Sequence, residues 1–181
     1  GIGNTNSGKT SIIHRFIRGD FLEAQFTTPL PIEHAKNVSN KCNLDIWDTT
    51  GAEEWQSMNS SIYHGSQAII YLCSSDDPKS LSDLKDVWFP IVNEYLGSSQ
   101  NIPSILAVNK LDLPDHSKVI ENDQIEEVKN EIKAFEYLEV SAKDNYNVNQ
   151  LFEDIANKLT CSSENESTQQ PKVVDLKEPQ R

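Results

Sequence analysis

The chain is short of basic charge, of long apolar runs and of cysteine. Its 181 residues carry 16 Lys and Arg against 28 Asp and Glu, a formal net charge of −12. That balance excludes non-specific nucleic-acid binding, which needs cationic side chains to meet phosphates. No stretch approaches the roughly 18 apolar residues of a membrane-spanning helix, and no signal peptide is visible. Cys42, Cys73 and Cys161 have no metal-ligand spacing. Cys42 and Cys73 lie in apolar, strand-like runs and read as buried thiols, which fits a reducing, cytosolic setting. His14, His34, His64 and His116 form no recognisable site, and there is no internal repeat. What remains is an acidic chain long enough for one domain with a sizeable core.

Gly3-Asn4-Thr5-Asn6-Ser7-Gly8-Lys9-Thr10 fits G-x-x-x-x-G-K-[ST], a loop that binds the phosphates of nucleoside triphosphates. Its backbone N–H groups form an anion nest, and the dipole of the following helix adds partial positive charge. Gly3 and Gly8 let the backbone approach phosphate without a Cβ in the way. Lys9 would reach the β- and γ-phosphates, and the Thr10 hydroxyl would ligate Mg²⁺. The plain alternative is a chance match in a Gly/Ser-rich turn. Against it stands the helical run Ser11–Ile17, with Ile12, Ile13, Phe16 and Ile17 on one face and Gly19 as a stop. Such a loop hangs between a strand and a helix. Only Gly1 and Ile2 precede it, so the strand that should carry it is expected to be missing and stability to suffer.

Strand and helix signals alternate along the rest of the chain. Strands are expected over 42–47, 68–73, 102–108 and 137–140, with a hairpin turn over 37–41. Helices are expected over 80–96, 123–135 and 148–159, the first of them kinked or broken at Pro90. The alternation predicts an α/β domain with a mainly parallel sheet, whose ligands bind beyond the carboxyl ends of the strands. Asp76 and Asp77 follow the apolar run 68–73 and read as a solvated loop in preference to a metal site. Residues 161–181, rich in Ser, Glu, Gln, Asn, Lys and Pro, read as a disordered tail.

Four further motifs fall at strand ends or in the loops after them: Thr27-Thr28, Asp48-Thr49-Thr50-Gly51-Ala52-Glu53, Asn109-Lys110-Leu111-Asp112 and Ser141-Ala142-Lys143. In this order they resemble a Ras-superfamily small GTPase. Leu44–Thr49, Ser60–Gly65, Glu139–Lys143 and Asn147–Phe152 look most like the Rab branch. The resemblance covers residues 1 to about 160. It implies a P-loop NTPase small G domain, with a mostly parallel six-stranded sheet flanked by five helices, here with the first strand largely missing. It also implies a hypervariable tail over 161–181.

Residue roles follow from that resemblance. Asn6, Ser7, Gly8, Lys9, Thr10 and Ser11, with Gly3, would bind the nucleotide. Asp112 would accept from guanine N1–H and its exocyclic amine, a pairing adenine cannot offer. Asn109 would contact the N7 side and hold neighbouring loops. The Lys110 stem would lie along the base, Lys143 near the ribose, and the Ala142 N–H would donate to O6 from the loop that begins at Ser141. Phe21 would pack on the base edge, though a role at the helix-to-loop core fits it equally. Thr28 would complete Mg²⁺ coordination in the GTP state, and Asp48 would hold the ion through water. Gly51 would touch the γ-phosphate through its N–H. Loss of that phosphate would release Thr28 and Gly51 together, which is the family's switch.

The departures are as informative. Ala52 occupies the position of the glutamine that orients the attacking water, which predicts slow hydrolysis and a bias towards the GTP state. Glu53 is a weak substitute for that glutamine. Thr50 replaces an alanine, where it would hinder switch II closure or accept a phosphoryl group; simple drift explains it as well. Thr27-Thr28-Pro29-Leu30-Pro31 alters switch I, so partner identity does not carry over. The family reaches membranes through prenylated carboxyl-terminal cysteines, and none follows Cys161 here. Val173–Leu176 resembles the tail segment that meets escort and extraction proteins. The expected protein is a cytoplasmic Rab-like switch for vesicle traffic that uses GTP/GDP and Mg²⁺. Exchange factors, activating proteins and effectors would meet it at switches I and II. Endomembrane association is expected only of a prenylated, longer form. The alternative is a GTP-bound scaffold that does not cycle; a P-loop kinase or ATPase is disfavoured by the base-reading motifs.

Overall fold

The computed structural model describes residues 1–22, 32–38, 42–49, 63, 65–96 and 102–166. Five strands fall into two sheets among them. β1 (Ile32–Val38) pairs antiparallel with β2 (Cys42–Asp48). β3 (Ile69–Ser74), β4 (Ser104–Asn109) and β5 (Glu136–Glu139) run parallel in that order. The mainly parallel character expected of the sheet holds for β3 to β5. The turn expected over 37–41 is corrected in part: Asn37 and Val38 pair with Asn43 and Cys42, so β1 extends into it.

Gly1 and Ile2 lie between the two sheets. Ile2 donates to the Ile70 carbonyl at 2.8 Å and accepts from the Leu72 N–H at 2.7 Å, a single parallel bridge beside β3. The Thr49 hydroxyl donates to the Gly1 carbonyl at 2.5 Å from the β2 side. The strand expected ahead of the phosphate-binding loop is thus represented by Ile2. Beside it a cavity of about 720 Å³ opens between β2 and β3, lined by Leu44, Ile46, Ile70, Phe152 and Ile155 among others.

The parallel strands are buried on both faces, and their period of two feeds two cores. Leu72, Ile105, Ala107 and Val140 join Ile12, Ile13 and Phe16 of α1 (Lys9–Arg18) and Leu151, Phe152 and Ile155 of the last helix. The rings of Phe16 and Phe152 stack with centroids 3.9 Å apart. Tyr71, Cys73, Leu106 and Val108 face the other way, onto the segment 78–96 and onto Ile125 and Val128. Burial pushes the Cys73 thiol up to about 12, so it stays a neutral apolar group.

Segment 78–96 begins where Asp77 caps Lys79 N–H and Pro78 takes the first turn. It comprises α2 (Pro78–Asp83), a π-turn over Leu84–Trp88 and α3 (Phe89–Leu96). Of the kink or break expected at Pro90, the break is corrected and the disturbance takes the form of this widened turn. Proline has no N–H to donate and its ring clashes with the carbonyl four residues back. Widening the preceding turn meets both constraints, and the chain stays helical. α4 (Asn122–Glu131) starts on a capping box between Glu121 and Gln124. It ends short of the expected 135 because Lys133 takes φ +56°, outside helical geometry. α5 (Val148–Glu166) runs beyond the expected end at 159, through residues with no Gly or Pro to stop it. No helix among the described residues is long and apolar enough to cross a membrane.

Candidate functional site

The phosphate-binding loop leaves Ile2, crosses the carboxyl end of β3 and enters α1. Gly8 sits at φ +93° as the N-cap, where L side chains are strained. Packing adds a second reason for both glycines. A Cβ at Gly3 would lie 2.0 Å from the Leu72 carbonyl oxygen, and one at Gly8 2.1 Å from the Asn109 amide nitrogen. Neither position tolerates a side chain even before phosphate is considered.

Lys9 is buried and folds back over the loop. Its ammonium donates to the carbonyls of Gly3 at 2.8 Å and Asn4 at 2.7 Å. Burial lowers its pKa to about 8, against the opposing pull of the Asp48 carboxylate. Asp48, at the end of β2, is 1% exposed, and its Oδ1 has no hydrogen-bond partner among the described residues. A buried carboxylate oxygen left bare is costly and calls for a cation. Asp48 is therefore an oxygen donor of the kind Mg²⁺ takes, and Thr10, in the first turn of α1, is the second candidate donor.

The second half of the site is the pair of loops after β4 and β5. The Asn109 side chain joins them to the phosphate-binding loop: its Nδ2 donates to the Ser7 carbonyl at 2.9 Å, and its Oδ1 accepts from the Ala142 N–H at 3.3 Å. The Ala142 N–H, expected to serve guanine O6, is engaged by Asn109 here. Asp112 accepts from the Ser141 hydroxyl at 2.7 Å through Oδ1. Its Oδ2 lies 4.0 Å from the Lys143 ammonium. Lys110 takes φ +68° and pairs with Asp76 at 3.3 Å. That contact and the Asp77 cap account for the two acids after β3.

Two scaffold residues escape a reading of the sequence. Arg15 on α1 donates through Nε to the Ala142 carbonyl at 2.8 Å and through its terminal amine to the Lys143 carbonyl at 2.7 Å. Ser75 donates to the Lys110 carbonyl at 3.1 Å. The only signal for Arg15 is a charged residue beside the apolar face of α1. The guanidinium also lies 5.9 Å from the centre of the Phe21 ring, itself 38% exposed. Asn6 takes φ +65°, Ser7 is buried with its hydroxyl on the Asn4 carbonyl, and the Ser11 hydroxyl donates to Leu22. Thr28, Gly51 and Ala52 lie outside the described residues, as do Thr27, Thr50, Glu53, Pro29 to Pro31 and Val173 to Leu176.

A Ras family sequence profile matches residues 1–161. Ras-related protein RabC of Dictyostelium discoideum is 31% identical over 175 residues, spanning 93% of this chain and 86% of its own length. GTP-binding protein ypt2 of Schizosaccharomyces pombe is 30% identical over 181 residues, spanning 97% and 88%. Ras-related protein Rab-3C of Mus musculus is 29% identical over 184 residues, spanning 99% and 78%.

Proposed function

Because the chain belongs to the Ras family and is similar to Rab and Ypt members over most of its length, we propose that it is a Rab-type guanine-nucleotide switch in vesicle traffic that hydrolyses GTP slowly. The observation that carries this reading is the Asn109 clamp. One side-chain amide holds Ser7 of the phosphate-binding loop and Ala142 of the loop beside Asp112. A triphosphate cradle and a base-reading carboxylate thereby belong to one unit.

In this reading Gly3 to Ser11 cradle the phosphates, and Lys9 turns its ammonium from the loop carbonyls to the β- and γ-phosphates. Asp112 accepts from the guanine edge while Ser141 and Lys143 hold its carboxylate in place. Thr10, Asp48 and Thr28 would hold Mg²⁺, which supplies positive charge beside the phosphates. Gly51 would donate to the γ-phosphate. Ala52 offers no hydrogen bond to the attacking water, so the water is positioned less often for attack. Exchange factors, activating proteins and effectors would read switches I and II. The tail would meet escort and extraction proteins, and membrane association would require a prenylated cysteine.

The test is the bound nucleotide and a single-turnover assay. The purified protein should carry GTP or GDP and no adenine nucleotide. Ala52→Gln should speed hydrolysis about 10-fold or more, since it restores a water-positioning amide. An ordinary small-GTPase rate in the unaltered protein would overturn slow hydrolysis. Absence of bound guanine nucleotide would overturn the whole reading. Ala52 also favours a second reading, a GTP-bound scaffold that does not cycle, for which neither form should hydrolyse GTP.

A further inference from the structure

Asn4, within the phosphate-binding loop, turns its side chain out of the loop and into the segment 78–96. Its Nδ2 donates to Asp83 Oδ2 at 2.6 Å. Trp88 Nε1 donates to its Oδ1 at 2.7 Å. An indole N–H can only donate and an ionised carboxylate can only accept, so these two partners fix the amide in one orientation and occupy both its ends. Asp83 is 7% exposed and Trp88 1% exposed, which keeps water from competing. Asp83 Oδ2 also accepts from Lys79 at 2.6 Å.

The main chain of the same residue serves the loop. The Asn4 carbonyl accepts from the Lys9 ammonium at 2.7 Å and from the Ser7 hydroxyl at 2.9 Å. Asn4 therefore joins the helical segment on one side to the phosphate-facing ammonium on the other.

The π-turn makes the grip possible. At about 100° per residue, α-helical positions i and i+5 point about 140° apart and cannot share a partner. In a turn closed by i→i+5 bonds the chain turns less per residue, and the two positions come towards one face. Phe89 N–H donates to Leu84 in that pattern, and Asp83 and Trp88 bracket the same turn. An uninterrupted α-helix would present one of them to Asn4 and carry the other away.

We propose that Asp83 and Trp88 are positioning residues that hold the phosphate-binding loop through Asn4 and thereby set how fast the nucleotide leaves. This rests on the nucleotide-binding reading above. It assigns to the π-turn a task that neither the motif nor the base-reading loops perform.

Release of a fluorescent GDP into excess unlabelled GDP tests it, with hydrogen exchange at the amides of residues 4–8 measured on the same samples. Asn4→Ala, Asp83→Ala and Trp88→Phe should each speed release about 10-fold, the effect of losing a buried hydrogen bond in a charged network. Asn4→Ala combined with Asp83→Ala or with Trp88→Phe should be no more than about twofold faster than Asn4→Ala alone, because the three act as one unit. Lys85→Ala, which cuts the ion pairs to Glu127 and Glu131 without touching Asn4, should leave release unchanged. Unchanged release in Asp83→Ala and Trp88→Phe, or acceleration that multiplies in the double variants, would overturn the proposal. If Trp88→Phe does not fold, the Asn4 and Asp83 pair decides alone. If the unaltered protein binds no guanine nucleotide, the reading above fails and with it the release step, and the exchange data still decide whether Asp83 and Trp88 hold the loop. Faster exchange at residues 4–8 in the variants supports it and unchanged exchange overturns it.

Discussion

The two ends of the site are finished to different degrees. At the base-reading end the polar groups are already paired: Asp112 with Ser141, Asn109 with Ser7 and Ala142, and the carbonyls of Ala142 and Lys143 with Arg15. At the phosphate end charge is left over. Among the described residues one buried oxygen of the Asp48 carboxylate has no hydrogen-bond partner, and Lys9 keeps a buried ammonium that its surroundings push towards neutrality. Under the guanine-reading proposal, the held partners of the base-reading end aim Asp112 Oδ2, 4.0 Å from Lys143, at the base, and a base without a matching donor would leave that oxygen unpaired. An electrostatically unfinished pocket gains most from an incoming anion and cation together. On the proposed nucleotide-binding reading, selectivity would be built into the fold at one end and affinity deferred to the ligand at the other.

That contrast breaks most sharply at Lys9. Lys9→Ala should weaken GTP and inorganic triphosphate alike, each by about 100-fold or more, because a buried cation facing phosphates is lost with nothing to replace it. Titration calorimetry with both ligands would show it; retention of triphosphate affinity would mean that the phosphate end is not the seat of affinity. Asp112→Asn should act on one ligand only. Guanine nucleotide affinity should fall about 10- to 100-fold as a charged acceptor becomes a neutral amide, while inorganic triphosphate binds as before. Equal losses for both ligands would show that the two ends are not separable.

The residues proposed to touch a ligand are legible in the sequence, whereas those that hold them in place are not. The phosphate-binding loop and the Asn109–Asp112 and Ser141–Lys143 motifs are local strings at strand ends, so alternating strand and helix signals suffice to bring them together. Arg15 and Ser75 act on carbonyls far along the chain, and a contact to a carbonyl leaves no mark on the residue that supplies it. The clash at Gly8 depends on Asn109 in the same way, and the sequence around Gly8 carries no sign of it. Pro90 announced a disturbance in its helix, but whether the chain would break or widen depended on the packing of Leu84 and Trp88 against β3 and β4. Asn4, Asp83 and Trp88 are each unremarkable residues until that widened turn sets two of them on one face.

The smallest expected effect sharpens the comparison best, because it tests the finished end where no ligand atom is involved. Arg15 carries three carbonyls: Gly19 at 2.8 Å, Ala142 at 2.8 Å and Lys143 at 2.7 Å. Arg15→Ala removes a planar fork that no single-point donor reproduces, and the loop from Ala142 to Lys143 then loses its tie to α1. The fold should survive, since Ile12, Ile13 and Phe16 keep α1 in its core. What should fall is guanine nucleotide affinity, by about fivefold, as Asp112 loses the neighbours that hold it. Inorganic triphosphate should bind unchanged. Arg15→Lys should recover less than half of the loss in free energy, because an ammonium cannot reach Ala142 and Lys143 together. If instead Arg15→Ala weakens triphosphate as much as GTP, the base-reading end is not a separate unit, and the division between a finished and an unfinished half of the site does not hold.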